Sequence, residues 1–161
     1  MDGTRSYRAM QGIDFVFRPL QPEDLPEVLE IERQGYARPW SESVFLDCFR
    51  DNYRLWAICH GDRLVGYAIV AYQFDEAHLL NLCVGRASRG QGAGRELLRY
   101  LVARSIHDGM HQVLLEVRRS NEGAAALYLS EGFEEIGVRP GYYPGVDGAE
   151  DARVMKLDLH T

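Results

Sequence analysis

A glycine-rich loop at residues 85–95 is the segment whose residue types most clearly suggest binding chemistry. It reads GRASRGQGAGR and joins an apolar segment, residues 78–84, to an amphipathic one, residues 94–107. Closely spaced glycines let the backbone approach a ligand, and the start of a helix offers free N–H groups and partial positive charge. Three arginines add formal charge: Arg86, Arg89 and Arg95. The loop is therefore predicted to bind phosphate groups.

The spacing of these glycines excludes two common phosphate-binding loops. A P-loop requires GxxxxGK[ST], and here Arg95 and Glu96 stand where lysine and a hydroxyl residue are needed. The dinucleotide fingerprint requires GxGxxG after the first strand of the chain, whereas this loop has GxGxG after a late one. The spacing alone leaves open that the loop is a tight turn without a ligand.

Two side chains outside the loop are candidates for moving a proton. Glu116 interrupts the apolar segment 113–117, where a carboxylate is costly to bury unless it is paired or used chemically. On the residues alone it could equally face solvent or pair with a cation such as Arg118. Tyr128 lies at helical spacing from Ala124, so it is either a core aromatic or a proton donor.

Cysteine and histidine are too few and too scattered for a disulfide framework or a metal site. The chain has three cysteines without a CxxC spacing and five histidines without a ligand spacing. Cys83 lies inside an apolar segment, where a cysteine is either a nucleophile or, more often, inert packing. We therefore expect no metal, no disulfide and a reducing compartment, the cytoplasm.

Composition describes an acidic globular protein of one domain. The chain has 161 residues and a formal net charge of −6, which argues against a broad nucleic-acid-binding face. Its best apolar run, residues 64–72, is strand-sized and short of the ~18 residues that a membrane helix needs. Residues 1–13 are predicted to be a flexible N-terminal tail, and residues 14–159 a single domain.

The elements that must position these residues alternate between strand and helix types. Strands are predicted at residues 15–17, 54–59, 64–72, 78–84, 113–117, 133–139 and 152–159. Helices are predicted after Pro22, after Ser41, at residues 94–107 and after Asn121. Residues 78–117 form a βαβ unit, whose two strands should be parallel. The predicted fold class is α/β, a mixed sheet of about seven strands flanked on both faces by about four helices.

The loop pattern Arg89-x-x-Gly92-x-Gly94, together with this order of elements, resembles the GNAT superfamily of N-acetyltransferases. Further stretches resemble one of its families, the bacterial ribosomal-protein-alanine N-acetyltransferases. These are PWSE at 39–42, NLCV at 81–84, LEVRRSN at 115–121 leading to ALY at 126–128, and YYP at 142–144 followed by DGAEDA at 147–152. The likeness spans residues 14–159 and departs at Cys83 and Gly85, where the family commonly has a small apolar and an acidic residue.

The resemblance implies acetyl-CoA as the acetyl donor, no metal, and direct transfer from the donor to an amine. By resemblance, Glu116 is the general base and Tyr128 the general acid. The implied cofactor contacts are Leu82, Cys83, Val84, Arg89, Gly90, Gln91, Gly92, Ala93, Gly94, Arg95 and Asn121. The implied walls of the acceptor site are Trp40, Tyr142 and Tyr143.

The acceptor implied by the resemblance is the N-terminal alanine of small-subunit ribosomal protein eighteen. The enzyme would be a cytoplasmic monomer that uses neither nucleic acid nor a membrane. Two alternatives stay open: the same chemistry on another protein N-terminus, a lysine or a small-molecule amine, and an acyl-CoA-binding regulator without turnover. The presence of both Glu116 and Tyr128 argues against the regulator.

Overall fold

A computed structural model of the protein describes residues 5–8, 14–145 and 148–159. In chain order the elements are β1 (Arg5–Arg8), β2 (Asp14–Pro19), α1 (Leu25–Gly35), α2 (Glu42–Leu46), β3 (Tyr53–His60), β4 (Arg63–Gln73), β5 (Glu76–Val84), α3 (Ala93–His107), β6 (Gln112–Arg118), α4 (Glu122–Ser130), β7 (Glu134–Gly145) and β8 (Gly148–Asp158). Short 3₁₀ turns at Pro22–Asp24 and Arg86–Ser88 lead into the segments that follow them.

The strands form one mixed sheet in the order β1-β2-β3-β4-β5-β6-β8-β7. Of these neighbours, β5 and β6 are parallel and the other pairs are antiparallel. The predicted meander, the βαβ unit and the fold class are thereby confirmed. Because α3 connects two parallel strands, it must cross one face of the sheet.

The prediction of a wholly flexible tail over residues 1–13 is wrong for residues 5–8, which form β1. Arg5 pairs with Phe17 and Arg8 with Asp14, so β1 adds an eighth strand to the about seven predicted. The short strand covers backbone groups that β2 would otherwise leave unpaired at the edge of the sheet. The rest of the predicted tail lies outside the described residues.

The two faces of the sheet carry separate apolar cores. On one face α3 and α4 pack through residues such as Leu97, Leu101 and Tyr128. On the other, α1 and α2 pack through Val28 and Phe45. Each face is therefore sealed by a helix pair, and polar side chains that reach the sheet interior must find partners there.

Strands β5 and β6 separate partway along their length, and this fork positions the site. They are paired from Glu76 with Gln112 to Leu79 with Leu115, and the pairing ends there. A bulge at the same level shifts the register with β4 between Leu79 and Asn81. A bulge bends a strand and disrupts its ladder, which explains why β5 leaves β6 at this point.

The described ranges hold neither a candidate membrane helix nor a candidate metal site. None of the helices there is both long enough and apolar enough to cross a membrane. Nor do those ranges contain a group of three or more His, Cys, Asp or Glu side chains that could hold a metal ion.

Candidate active site

A cavity of about 670 Å³ opens at the fork between β5 and β6. Its walls come from residues that follow α1, from β5 beyond the bulge, from the end of β6, from α4 and from the β7–β8 hairpin. Six of the predicted site residues line it: Trp40, Leu82, Glu116, Asn121, Tyr128 and Tyr143. The others lie outside its lining: Cys83, Val84, Arg89, Gly90, Gln91, Gly92, Ala93, Gly94, Arg95 and Tyr142.

Glu116 reaches the cavity from β6, because its neighbours in that strand, Leu115 and Val117, point the opposite way into the α3 core. One carboxylate oxygen, Oε1, accepts a hydrogen bond of 2.8 Å from Arg139 Nη1. The other oxygen, Oε2, is buried and accepts no hydrogen bond from the described residues. An unpartnered buried carboxylate oxygen is costly, so this atom is suited to a ligand that brings a donor.

Tyr128 reaches the cavity from α4, on the face of the sheet opposite to Glu116. Its ring packs against Phe133 at 5.6 Å between centroids, and 8% of the residue is exposed. The Phe133 N–H donates to the Tyr128 carbonyl at 3.0 Å, so the end of α4 is closed directly behind the tyrosine. Burial raises the pKa of the Tyr128 phenol, and the hydroxyl therefore keeps its proton at neutral pH.

Two more tyrosine hydroxyls donate hydrogen bonds to the strands on either side of the fork. Tyr36 donates to the Leu82 carbonyl of β5 at 3.0 Å, and Tyr143 donates to the Glu116 carbonyl of β6 at 3.3 Å. Burial raises the pKa of both phenols, that of Tyr143 to about 12. These bonds attach the loop after α1 and the β7–β8 hairpin to the cavity rim.

The predicted phosphate loop has the geometry of an anion site. Gly92 caps α3 at φ +82° and Gly90 adopts φ +78°, a left-handed conformation that favours glycine. No side chain caps α3 within the described part of the chain, so the first-turn N–H groups face outward from Ala93 onward. A Cβ at Gly94 would lie 3.9 Å from Leu127, a residue that lines the cavity. The helix start is therefore next to the cavity wall and fits a phosphate.

The Arg95 side chain turns away from this loop. It is hydrogen-bonded to Glu131 and to Ser130 Oγ, at the end of α4, and Arg99 binds the same carboxylate at 2.7 Å. The hydrogen bond from Arg99, followed by that from Arg95, lowers the pKa of Glu131. Arg95 is thus placed to contribute its backbone N–H to an anion while its guanidinium ties α3 to α4.

Arg89 keeps its side chain at the base of the loop, where Nε lies 3.3 Å from the Val84 carbonyl. Asn121 lines the cavity and also caps α4, since its Oδ1 accepts from the Ala124 N–H at 3.2 Å. A cap that faces a cavity keeps a spare amide N–H₂ for a ligand.

Cys83 faces away from the cavity. Its Sγ lies 3.7 Å from the Ile31 carbonyl in the core beneath α1, and burial raises the pKa of the thiol to about 11. A nucleophilic cysteine needs a lowered pKa and access to substrate. The side chain has neither, so Cys83 can serve a ligand only through its backbone.

The three residues predicted to wall the acceptor site differ in how they face the cavity. Trp40 lines it, held by a 2.8 Å hydrogen bond from its backbone N–H to Glu32 Oε2. Tyr143 lines it as well, whereas Tyr142 lies outside, beneath the Arg139 guanidinium at 4.0 Å. Both tyrosines belong to β7 and not to a loop, because the β7–β8 pairing resumes beyond Arg139.

Three polar residues at the cavity or in contact with its lining are not among the predicted site residues: Glu32, Asn81 and Arg139. Glu32 and Asn81 are buried, polar and part of the cavity lining. The sequence does mark both positions. Glu32 is a carboxylate on the apolar stripe of α1, and Asn81 is an amide inside the apolar segment of β5, where polar residues are rarely buried without a reason. For Arg139 no local signal exists, because its partner Glu116 lies 23 positions away.

Known proteins share this architecture. The Acetyltransferase (GNAT) family model matches residues 18–133. The [ribosomal protein bS18]-alanine N-acetyltransferase of Escherichia coli is 39% identical over 140 residues, which cover 87% of this chain and 95% of that protein. The enzyme of the same description from Haemophilus influenzae is 34% identical over 137 residues, which cover 84% of this chain and 93% of that protein.

A solved structure agrees with these sequence matches. The crystal structure of the ribosomal-protein-S18-alanine N-acetyltransferase from Escherichia coli has a TM-score of 0.87 and 37% identity to this chain. The match covers 91% of this chain and 95% of that one. With a family model over most of the domain and relatives that span nearly all of it, the chain belongs to the acetyltransferase (GNAT) family, whose enzymes take the acetyl group from acetyl-CoA.

Proposed function

We propose that this enzyme acetylates the N-terminal alanine of ribosomal protein bS18, with Glu116 as general base and Tyr128 as general acid. The observation that carries the proposal is the buried, unpartnered Glu116 Oε2, which faces a cavity that Tyr128 enters from the other side of the sheet. The relatives from Escherichia coli and Haemophilus influenzae, which carry this acceptor in their names, support the choice of acceptor.

Acetyl-CoA, when bound, supplies an acetyl thioester whose acetyl group forms an amide with the acceptor nitrogen, releasing the CoA thiol. The start of α3 after Gly92 would hold its phosphates, because no side chain of the described residues caps its first-turn N–H groups, and the left-handed turn at Gly90 lets the backbone pass close to them. Beyond the fork, β5 no longer pairs with β6 from Leu82 to Val84, so this edge of the strand is open to the rest of the donor, although the Leu82 and Val84 carbonyls already accept from Tyr36 and Arg89. Asn121 would add its amide at the α4 side.

Glu116 would prepare the acceptor. The α-ammonium of a protein has a pKa of roughly 7.7–8.0, so only a minority is neutral and nucleophilic at pH 7. Glu116 Oε2 would take the proton that the nitrogen must lose. Arg139 occupies Oε1, which leaves Oε2 as the oxygen that faces the amine.

Tyr128 would serve the leaving group. Its raised pKa keeps a proton on Oη under all physiological conditions. A thiolate with a pKa near 8.5 is a weaker base than this phenolate, so Tyr128 would stabilise the departing sulfur first by a hydrogen bond. The proton then moves as negative charge develops at the sulfur.

The acceptor peptide would enter between Trp40 and Tyr143. Both residues line the cavity, and both are anchored by hydrogen bonds to residues of the site, Glu32 and Glu116. We propose that the enzyme works as a monomer. Acetylation of a newly made ribosomal protein would take place in the cytoplasm.

Mass spectrometry of a synthetic bS18 N-terminal peptide after incubation with enzyme and acetyl-CoA tests the proposal. We expect one acetyl group, located on the α-nitrogen of alanine by fragmentation, and roughly a hundredfold slower formation of that product with Glu116→Gln. Acetylation of lysines, polyamines or other small amines, with none on the alanine, would overturn the acceptor. Tight binding of acetyl-CoA without transfer to any amine would instead show a regulator.

A further inference from the structure

Two buried oxygens without partners belong to residues that line the same cavity from the two strands of the fork. One is Glu116 Oε2 on β6, and the other is the amide oxygen Oδ1 of Asn81 on β5. Neither accepts a hydrogen bond from the described residues, and Asn81 is 7% exposed. Both are acceptors, so a ligand that satisfies both must carry at least two donor N–H or O–H groups.

The β5 bulge is the reason that Asn81 faces this side. Leu79 belongs to the core beneath α3, and in a regular strand Asn81 would point the same way. The register shift turns Asn81 to the α1 face instead. There its Nδ2 donates to Glu32 Oε1 at 2.9 Å.

The hydrogen bond to Glu32 also determines how the amide is oriented. A carboxylate oxygen can only accept, so the nitrogen of the Asn81 side chain must be the atom that meets it. The amide oxygen is then the atom left unpartnered, and it is held in one orientation. Burying such an oxygen is unfavourable in the free enzyme, whereas a ligand that donates to it removes that penalty.

We propose that Asn81 Oδ1 accepts a hydrogen bond from the α-nitrogen of the acceptor, making Asn81 a second anchor for the amine opposite Glu116. This inference rests on the proposed function. An α-ammonium carries three N–H groups: one proton passes to Glu116, and the neutral amine keeps two N–H groups and a lone pair. A hydrogen bond from one of these to Asn81 limits rotation of the nitrogen and so directs its lone pair.

An amide oxygen suits this role better than a second carboxylate. It accepts a hydrogen bond from the amine in both protonation states, while carrying no charge that would hold the amine in its unreactive ammonium form. The site would consequently require an amine that keeps at least one N–H after losing one proton, as the α-amine of alanine does.

The test compares Asn81→Ala with Tyr67→Phe. Tyr67 donates to the same Glu32 oxygen as Asn81 but does not line the cavity, so its variant reproduces the loss of a donor to Glu32 alone. We expect Asn81→Ala to raise the KM for the alanine peptide about tenfold, with an unchanged Kd for acetyl-CoA. Tyr67→Phe should change that KM less than threefold. Asn81→Leu, which fills the volume, replaces Asn81→Ala if the latter does not fold.

A peptide lacking only the α-amino group makes the test specific. This peptide cannot be acetylated. The ratio of its inhibition constant to the Kd of the alanine peptide measures how much the amine contributes to binding. That contribution should fall at least fivefold in Asn81→Ala and stay constant in Tyr67→Phe. An equal effect of both variants, or an Asn81→Ala variant that weakens acetyl-CoA and not the peptide, would overturn the inference. If the wild-type enzyme acetylates no amine, the proposed function itself fails.

Discussion

Arg139 Nη1 lies 2.8 Å from Glu116 Oε1, so an arginine of β7 holds one oxygen of the candidate base while the other is buried without a partner among the described residues. The same guanidinium covers the Tyr142 ring at 4.0 Å. Removing the cation should let the Glu116 carboxylate turn away from the amine. We expect Arg139→Gln to lower kcat about tenfold, ~1.4 kcal/mol of transition-state stabilisation, with a smaller effect on the Kd for acetyl-CoA.

Arg139→Lys should recover part of that kcat, since it restores a positive donor without the planar guanidinium. The matched control is Arg153→Gln, which removes an arginine of the same hairpin whose partner is Glu135. If Arg153→Gln lowered kcat as much as Arg139→Gln, the effect would belong to hairpin stability and not to Glu116. Thermal unfolding of all three variants separates the two cases.

Glu116→Gln should lower kcat/KM for the alanine peptide by roughly a hundredfold at pH 7, the usual contribution of a general base. Without a base, the rate depends on the fraction of amine that is already neutral. The residual activity of the variant should therefore rise about tenfold per pH unit up to the amine pKa of roughly 7.7–8.0 and then level off. A rate for the variant that stays flat between pH 6 and pH 8 would argue against this role.

Tyr128→Phe should lower kcat tenfold or more, because the departing sulfur loses its proton donor. Burial raises the pKa of Tyr128 above that of an ordinary phenol. Tyr128 can act as an acid only while its phenol keeps the proton. Because its pKa is raised, the phenol loses that proton only at higher pH. Wild-type kcat should show no decline from this group up to about pH 10. A fall in kcat near pH 8 that is absent in Tyr128→Phe would contradict the prediction.

Glu32→Gln should destabilise the fold. Glu32 is 1% exposed and accepts hydrogen bonds from Asn81, from the Trp40 N–H and from Tyr67. In Glu32→Gln, an N–H₂ group takes the place of one carboxylate oxygen. It would then face one of these donors, which would lose its acceptor. We expect the free energy of unfolding to fall by about 2–3 kcal/mol in urea titration.

Glu30→Gln is the matched control for that measurement. Glu30 lies on the same helix, exposed, and pairs with Arg33 at 2.7 Å. Its replacement should leave the urea midpoint unchanged, since exposed ion pairs contribute little. Equal midpoints for the two variants would show that the polar cluster around Glu32 does not stabilise the fold.

Local signals in the sequence correctly indicated most of the framework. The helix predicted after Ser41 is α2, and Ser41 caps it; Trp40 and Phe45, at the two positions of a hydrophobic staple, pack at 5.2 Å between ring centroids. The glycine loop leads into α3 at Gly92, and the βαβ unit is parallel as expected. These features depend on residues a few positions apart, whose preferred backbone conformations act within one element.

The sequence by itself determined the elements from β2 onward, the glycine-rich loop before α3, and the strand and helix that carry Glu116 and Tyr128. Only the tertiary structure decided which side chains those residues meet. The bulge in β5 turned Asn81 toward Glu32, the β7–β8 register brought Arg139 to Glu116, and Arg95 turned to Glu131. Each of these contacts joins residues more than 20 positions apart. Their formation depends on strand register and on which face a side chain occupies, and a shift of one residue reverses that face.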